Sequence, residues 1–143
     1  MVSLAEATAT LAIQIVVLVL LLVAMNLKNK KKFRQHGIMM TTAVVLHIIA
    51  ILLVMIPSFS VLFMSAPGTI MINAIVIVSF IHVALGSIAV ALGIWLAVSW
   101  HFKRDMQRCF ANKRIMKPTL ALWITALLLG VIMYITFWAA YLL

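Results

Sequence analysis

Four histidines, His36, His47, His82 and His101, are the residues of this chain best equipped for chemistry. Neutral imidazole ligates both haem iron and copper. All four lie within or at the ends of two long apolar runs, where an ionisable group is costly and is by default a functional suspect. His47 and His82 are the deep pair. His36 and His101 border basic segments and read first as ordinary interfacial side chains, with a ligand role second. For the deep pair the plain alternative to a ligand role is a hydrogen bond donated to a neighbouring helix.

Spacing limits what the histidines can hold. His36 and His47 are 11 residues apart, about 16 Å along a helix. His82 and His101 are 19 apart, about 28 Å. The pairs His36–His101 and His47–His82 are therefore mismatched by about 12 Å if both helices run straight, which disfavours two stacked haems. A single haem b between His47 and His82 stays open, since tilting one helix shortens its projected rise. A second option is a cuprous ion. His36, Met39 and Met40 stand at i, i+3 and i+4 on one helical face, and thioether with imidazole suits a soft metal. Methionine is also an ordinary apolar filler, so ten of them do not make a copper protein. No cofactor is required by the sequence.

Other catalytic chemistry has no footing. Glu6 and Asp105 are the only acids, they fall on opposite sides of the expected membrane, and no phosphate-binding glycine loop or nucleophile–base pair is present. A conventional enzyme acting alone is not expected.

The elements that position the histidines follow from composition. With 67% of residues hydrophobic and 9% charged, against about half and a quarter in soluble domains, lipid must be the solvent. We expect an all-α integral membrane four-helix bundle in a single domain, with spans at about 4–26, 37–56, 70–100 and 118–143. Pro57 is read as the stop of the second span and Pro118 as the first residue of the fourth. At 31 residues the third would be about 46 Å long and must tilt or protrude. The first lacks a preceding basic residue, so it reads as a retained helix rather than a cleaved signal.

All eleven Lys and Arg fall within Lys28–Arg34 and Lys103–Lys117, and the segment from Pro57 to Thr69 has none. The positive-inside rule then gives an N-out, C-out topology with both basic loops cytoplasmic, in contact with anionic lipid headgroups. The +9 net charge therefore does not point to nucleic acid, which needs a folded basic face. Phe102, Met106, Cys109 and Phe110 recur at helical spacing among the inner basic residues and suit an amphipathic segment on the inner leaflet. Cys109 has no partner for an internal disulfide. The outer segment 58–64 is apolar enough to lie in the interface.

Small residues mark the packing faces. His82, Gly86, Ala89, Gly93 and Ala97 form one stripe. Thr119, Trp123, Ala126, Gly130, Tyr134, Phe137 and Tyr141 form another, and His36, Met40, Ala43 and His47 a third. Gln14 is the polar residue well inside the first span.

Three stretches carry a resemblance: Arg34-Gln35-His36-Gly37-Ile38-Met39-Met40, His82-Val83-Ala84-Leu85-Gly86, and Asn112-Lys113-Arg114-Ile115-Met116-Lys117-Pro118-Thr119 followed by Trp123, Gly130 and Tyr134. In this order they resemble the small four-helix membrane proteins related to CtaM, an assembly factor for haem–copper terminal oxidases. More broadly, the His-Gly entering one helix and the histidine on the next are similar to transmembrane b-type cytochromes. Under either likeness His36 and His82 are the positions that carry over. Asn112 stands near where the family pattern has a histidine, and His47 is mid-span rather than near the far end. The resemblance implies a small non-catalytic subunit or assembly factor of a respiratory or metal-dependent oxidase complex in a prokaryotic plasma membrane, with other membrane subunits as partners. The alternatives are a mono-haem cytochrome exchanging electrons with a quinone pool, and a transporter or channel subunit. For the last, Gln14, Thr41, Thr42, Asn73 and Ser79 are too scattered to line a pore convincingly.

Overall fold

A computed structural model describes residues 4–64, 74–102 and 113–142. Apart from a turn at residues 30–32, the described residues are all helical. Helix α1 runs Leu4–Asn29 and α2 runs Phe33–Ala50. A π-helical turn, Ile51–Met55, leads into α3, Ile56–Met64. Helix α4 spans Ala74–Phe102 and α5 spans Lys113–Leu142. Four spans are long and apolar enough to cross a membrane: α1, the continuous rod from Phe33 to Ser60, the bulk of α4 and the bulk of α5. Without water, every backbone N–H must bond within the chain, and a helix is the local way to do so. The chain is thus a multi-pass membrane protein by length and composition.

The second span does not stop at Pro57. The rod continues through the proline to Met64. Proline has no N–H and its ring crowds the carbonyl four residues back. Here the π turn directly precedes it, with the Ile56 N–H reaching back to the Ile51 carbonyl. Ser58 Oγ then donates to the Val54 carbonyl, the usual back-bond of a helical serine to the residue four before it. Segment 58–64, expected as an interfacial loop, is helix instead. Pro118 is likewise inside α5, five residues past its start. The Thr119 hydroxyl donates to the Ile115 carbonyl at 2.7 Å beside it. The inner amphipathic segment around Met106 and Cys109 lies outside the described residues.

The first basic loop contracts to three residues. Lys31 N–H bonds to the Lys28 carbonyl and Lys32 N–H to the Leu27 carbonyl, while Lys31 takes φ 59°. These bonds form a Schellman end, with Lys31 at the left-handed position that glycine fills best. Lys28 and Arg34 therefore sit on helices. Lys31→Gly is expected to raise stability by about 1 kcal/mol, read as a higher midpoint in a denaturing-detergent titration.

The spans form a closed ring: α1 packs on α2, α2 on α4, α4 on α5 and α5 back on α1. Between the rod of α2 and α3 and the antiparallel α4 the contact is marked along its length. The Trp100 ring covers Gly37, Val44 lies beside Gly93, and Phe59 meets Phe80 edge-on at 5.6 Å. The core is Val17, Leu21, Ala43, Val44, Ala89, Trp123 and Leu127. Of the predicted stripe on α4, Ala89 and Gly93 are buried, but a Cβ added at Gly86 would meet nothing. Gly86 shares the periodicity without making the contact.

Candidate functional site, a histidine and glutamine centre within the bundle

Three of the four histidines are turned inward, and each uses Nδ1 to reach a different helix. His36 is buried, and its Nδ1 lies 2.7 Å from the Ala24 carbonyl of α1. A backbone carbonyl only accepts, so this nitrogen carries the proton. His82 does the same toward α5, with Nδ1 2.9 Å from the Ala126 carbonyl. Gly130, one turn on, leaves room for the ring: a Cβ there would stand 3.2 Å from His82 Cε1. His47 pairs its Nδ1 with Gln14 Oε1 at 3.1 Å. Two helical hairpins result, α1–α2 held by His36 and His47, and α4–α5 held by His82.

Trp123 joins the hairpins. Its indole is 1% exposed and lies tilted against the His47 ring, centroids 5.2 Å apart. Gly93 admits it, since a Cβ at that position would come within 2.5 Å of Trp123 Cζ3. Near the other end of the bundle the Thr8 and Tyr134 hydroxyls share a hydrogen bond of 2.9 Å between α1 and α5. Among the described residues, three buried side-chain nitrogens have no hydrogen-bond partner: Gln14 Nε2, His36 Nε2 and Trp123 Nε1. Two of these are donors attached to one cluster, Gln14–His47–Trp123. That cluster draws a residue from each of α1, α2 and α5.

The sequence-derived site residues sort by this geometry. His47 and His82 bond to different helices, His47 to Gln14 of α1 and His82 to Ala126 of α5. His36 and His101 are not brought together, because His36 is buried against α1 and His101 is exposed at the end of α4. Met39 and Met40 are half-buried, with Met40 packed on the core. Among the described residues no three of the side chains His, Cys, Asp and Glu converge as a metal-binding group. Trp123 was read from sequence only as a packing aromatic. Its contact with His47 crosses the ring of helices and has no periodic signature.

Donor chemistry and packing point in different directions for haem. An Nδ1–H committed to an oxygen leaves Nε2 as the lone pair a metal takes, the usual outer-shell arrangement of a ligating histidine. Yet Val44 lies beside Gly93 one turn from His47, and Trp123 fills the space against both. A haem gripped by His47 and His82 would have to part α2 from α4 there.

Gln14→Leu is expected to lower stability by about 1 kcal/mol, because His47 loses its partner while the side-chain volume is nearly kept. The same detergent titration reads it.

No family model, curated protein or solved structure matches this chain.

Proposed function

We propose that this chain is a small non-catalytic membrane subunit or assembly factor of a respiratory or metal-dependent oxidase complex, with both ends outside and its basic loops in the cytoplasm. The observation that carries the reading is the division of its surface. His36, His47 and His82, with Gln14, bond across the bundle's own helices, while its outward side chains are large and apolar. Leu53 is 71% exposed, Trp95 61% and Leu52 59%. Such a face meets lipid or the helices of other subunits, where association rests on packing. The resemblance to CtaM-related proteins supplies the kind of complex.

Affinity purification from native membranes in a mild detergent tests this. The expected result is co-purification of oxidase subunits, together with loss of oxidase activity in a strain lacking this chain. A protein that elutes alone, from cells whose oxidase is unaffected by its deletion, would overturn the proposal.

The Nδ1-committed imidazoles favour one second reading, a mono-haem b cytochrome exchanging electrons with a quinone pool, in which His47 and His82 would be the residues that hold the haem. When bound, the haem would supply one-electron transfer. The residues of this chain would hold it and set its orientation through the Gln14 amide and the Ala126 carbonyl. A reduced-minus-oxidised optical spectrum of the purified protein decides: a b-type band lost in both His47→Ala and His82→Ala favours this reading, and a colourless protein rejects it. The copper candidate, His36 with Met39 and Met40, is decided by metal analysis on the same sample.

A further inference from the structure

We propose that the lipid-facing seam between α1 and α5 holds one anionic phospholipid, with its phosphate at Lys28, Arg114 and Lys117 and one acyl chain in the cleft beyond them. The register of the two helices sets where charge and cleft fall. Thr8 and Tyr134 share a hydrogen bond across the antiparallel pair. Lys28 lies 20 residues from Thr8, and Arg114 lies 20 residues from Tyr134. Both are therefore about 30 Å from that bond along their helices, the thickness of a hydrocarbon layer. The two cations stand at one height, at the edge of that layer.

The facing stripes run into these charges. On α1, Gln14, Leu18, Leu21, Met25 and Lys28 recur at alternating steps of four and three. On α5, Leu128, Ile124, Ala121, Lys117 and Arg114 do the same, and such steps keep residues on one helical face. Midway along the seam is a shallow cleft bounded by Leu18 and Ile124, with Leu127 and Leu128 beside them. Gln14 borders it, but the amide nitrogen is itself occluded, so the walls are aliphatic. A volume of about 40 Å³ suits a few methylene groups and not a ring. Leu18 is ten residues from Lys28, about 15 Å, the depth one leaflet's acyl chains cover in a layer of about 30 Å. A phosphate at Lys28 thus brings the far part of its chain to the cleft. Ala121, exposed between the cations and the cleft, leaves the path open.

Charge selects the headgroup. Lys28 is half-buried, and Arg114 and Lys117 are exposed. Glu6, the one acid among the described residues, lies in the first turn of α1 at the opposite end. A zwitterionic lipid would add a cation of its own to the cluster, and an anionic lipid does not. Two other seams are closed at this end: the Trp100 ring covers Gly37 between α2 and α4, and the Schellman turn joins α1 to α2. The general pull of basic loops on an anionic leaflet is thereby concentrated at one place. The site stands whether or not the chain belongs to an oxidase complex.

The test titrates the full chain in mild detergent with dioleoyl phosphatidylglycerol, read by native mass spectrometry, with dioleoyl phosphatidylcholine as the zwitterionic comparison. The first phosphatidylglycerol is expected to bind about tenfold more tightly than phosphatidylcholine, a preference lost when Lys28→Gln and Arg114→Gln are combined. Lys32→Gln with Arg34→Gln removes the same charge from the same end but off the seam, and is expected to keep the preference within about twofold. Ala121→Phe, which obstructs the path, and dihexanoyl phosphatidylglycerol, whose chains are too short to reach Leu18, should each give about tenfold weaker binding. Equal loss in the two double variants would mean a diffuse attraction of the whole basic end and overturn the site. Release of the bound lipid by inorganic phosphate would assign the cations to a soluble anion and overturn it too. Equal binding of the two dioleoyl lipids would leave the seam to lipid in general or to a partner helix, and equal binding of the dihexanoyl lipid would remove the acyl chain from the site; either result overturns the proposal.

Discussion

Gly93→Val is expected to break the bundle at its centre, costing roughly 3 kcal/mol or more. A single Cβ at this position already stands 2.5 Å from Trp123 Cζ3, 3.1 Å from Trp123 Cη2 and 3.3 Å from Val44 Cγ2. Valine adds two further methyl groups. The indole cannot yield easily, because it is buried against the His47 ring on its other flank, and Val44 is fixed in the core of α2. Relief therefore means separating α4 from α2 and α5 together. Gly93→Ala should give a smaller loss, since alanine recovers about 1 kcal/mol of helix propensity. Gly86→Ala is the internal comparison: the same helix and the same change, but open space around the new methyl and no expected penalty. Unfolding titrations with sodium dodecyl sulfate in mixed micelles, followed by far-ultraviolet circular dichroism, measure all three. Equal behaviour of the two alanine variants would show that Gly93 is not a contact.

Trp123→Ala is expected to be comparably damaging, about 3 to 5 kcal/mol. The driving force differs from that in a soluble protein, because lipid is as apolar as the core and little is gained by hiding a ring from water. What is lost is contact: the indole lies against Gly93 and the His47 ring at once, and the hole left behind gives those atoms nothing to face. The two hairpins are thereby loosened from each other while each keeps its own histidine hydrogen bonds. The variant should therefore retain helical content yet unfold in a broader transition. Trp123→Phe restores most of the contact and removes the unpartnered Nε1–H, so it should cost far less. A sharp, unchanged transition in Trp123→Ala would mean that the hairpins are joined elsewhere.

Much of the architecture was legible because the bilayer leaves a chain few options. The apolar runs had to be helices, and the small-residue stripe on α4 marks its packing face, although contact is made at Ala89 and Gly93 and not at Gly86. Errors fell where local rules met a compensating neighbour. Pro57 and Pro118 read as helix boundaries, since proline removes an N–H, but the first follows a π turn that shifts the ladder by one residue and the second stands within the first turns of α5, where few backbone bonds are lost. The loop at Lys28–Arg34 read as long because charge is expected outside a span. A Schellman end at Lys31 closes it in three residues.

The sequence by itself determined that this is a helical membrane protein with four spans and with histidines on the inward faces of the second and third. Composition and period alone decide those points, for lack of any other solvent or fold. Only the tertiary structure decided what each histidine does. An imidazole inside a membrane must find an acceptor, and every helix offers carbonyls along its whole length, so no spacing announces which one is met. That His36 takes Ala24, His82 takes Ala126 and His47 takes Gln14, with Trp123 closing over it, depends on how four helices rotate about their axes. Rotation is set by side chains far apart in the chain.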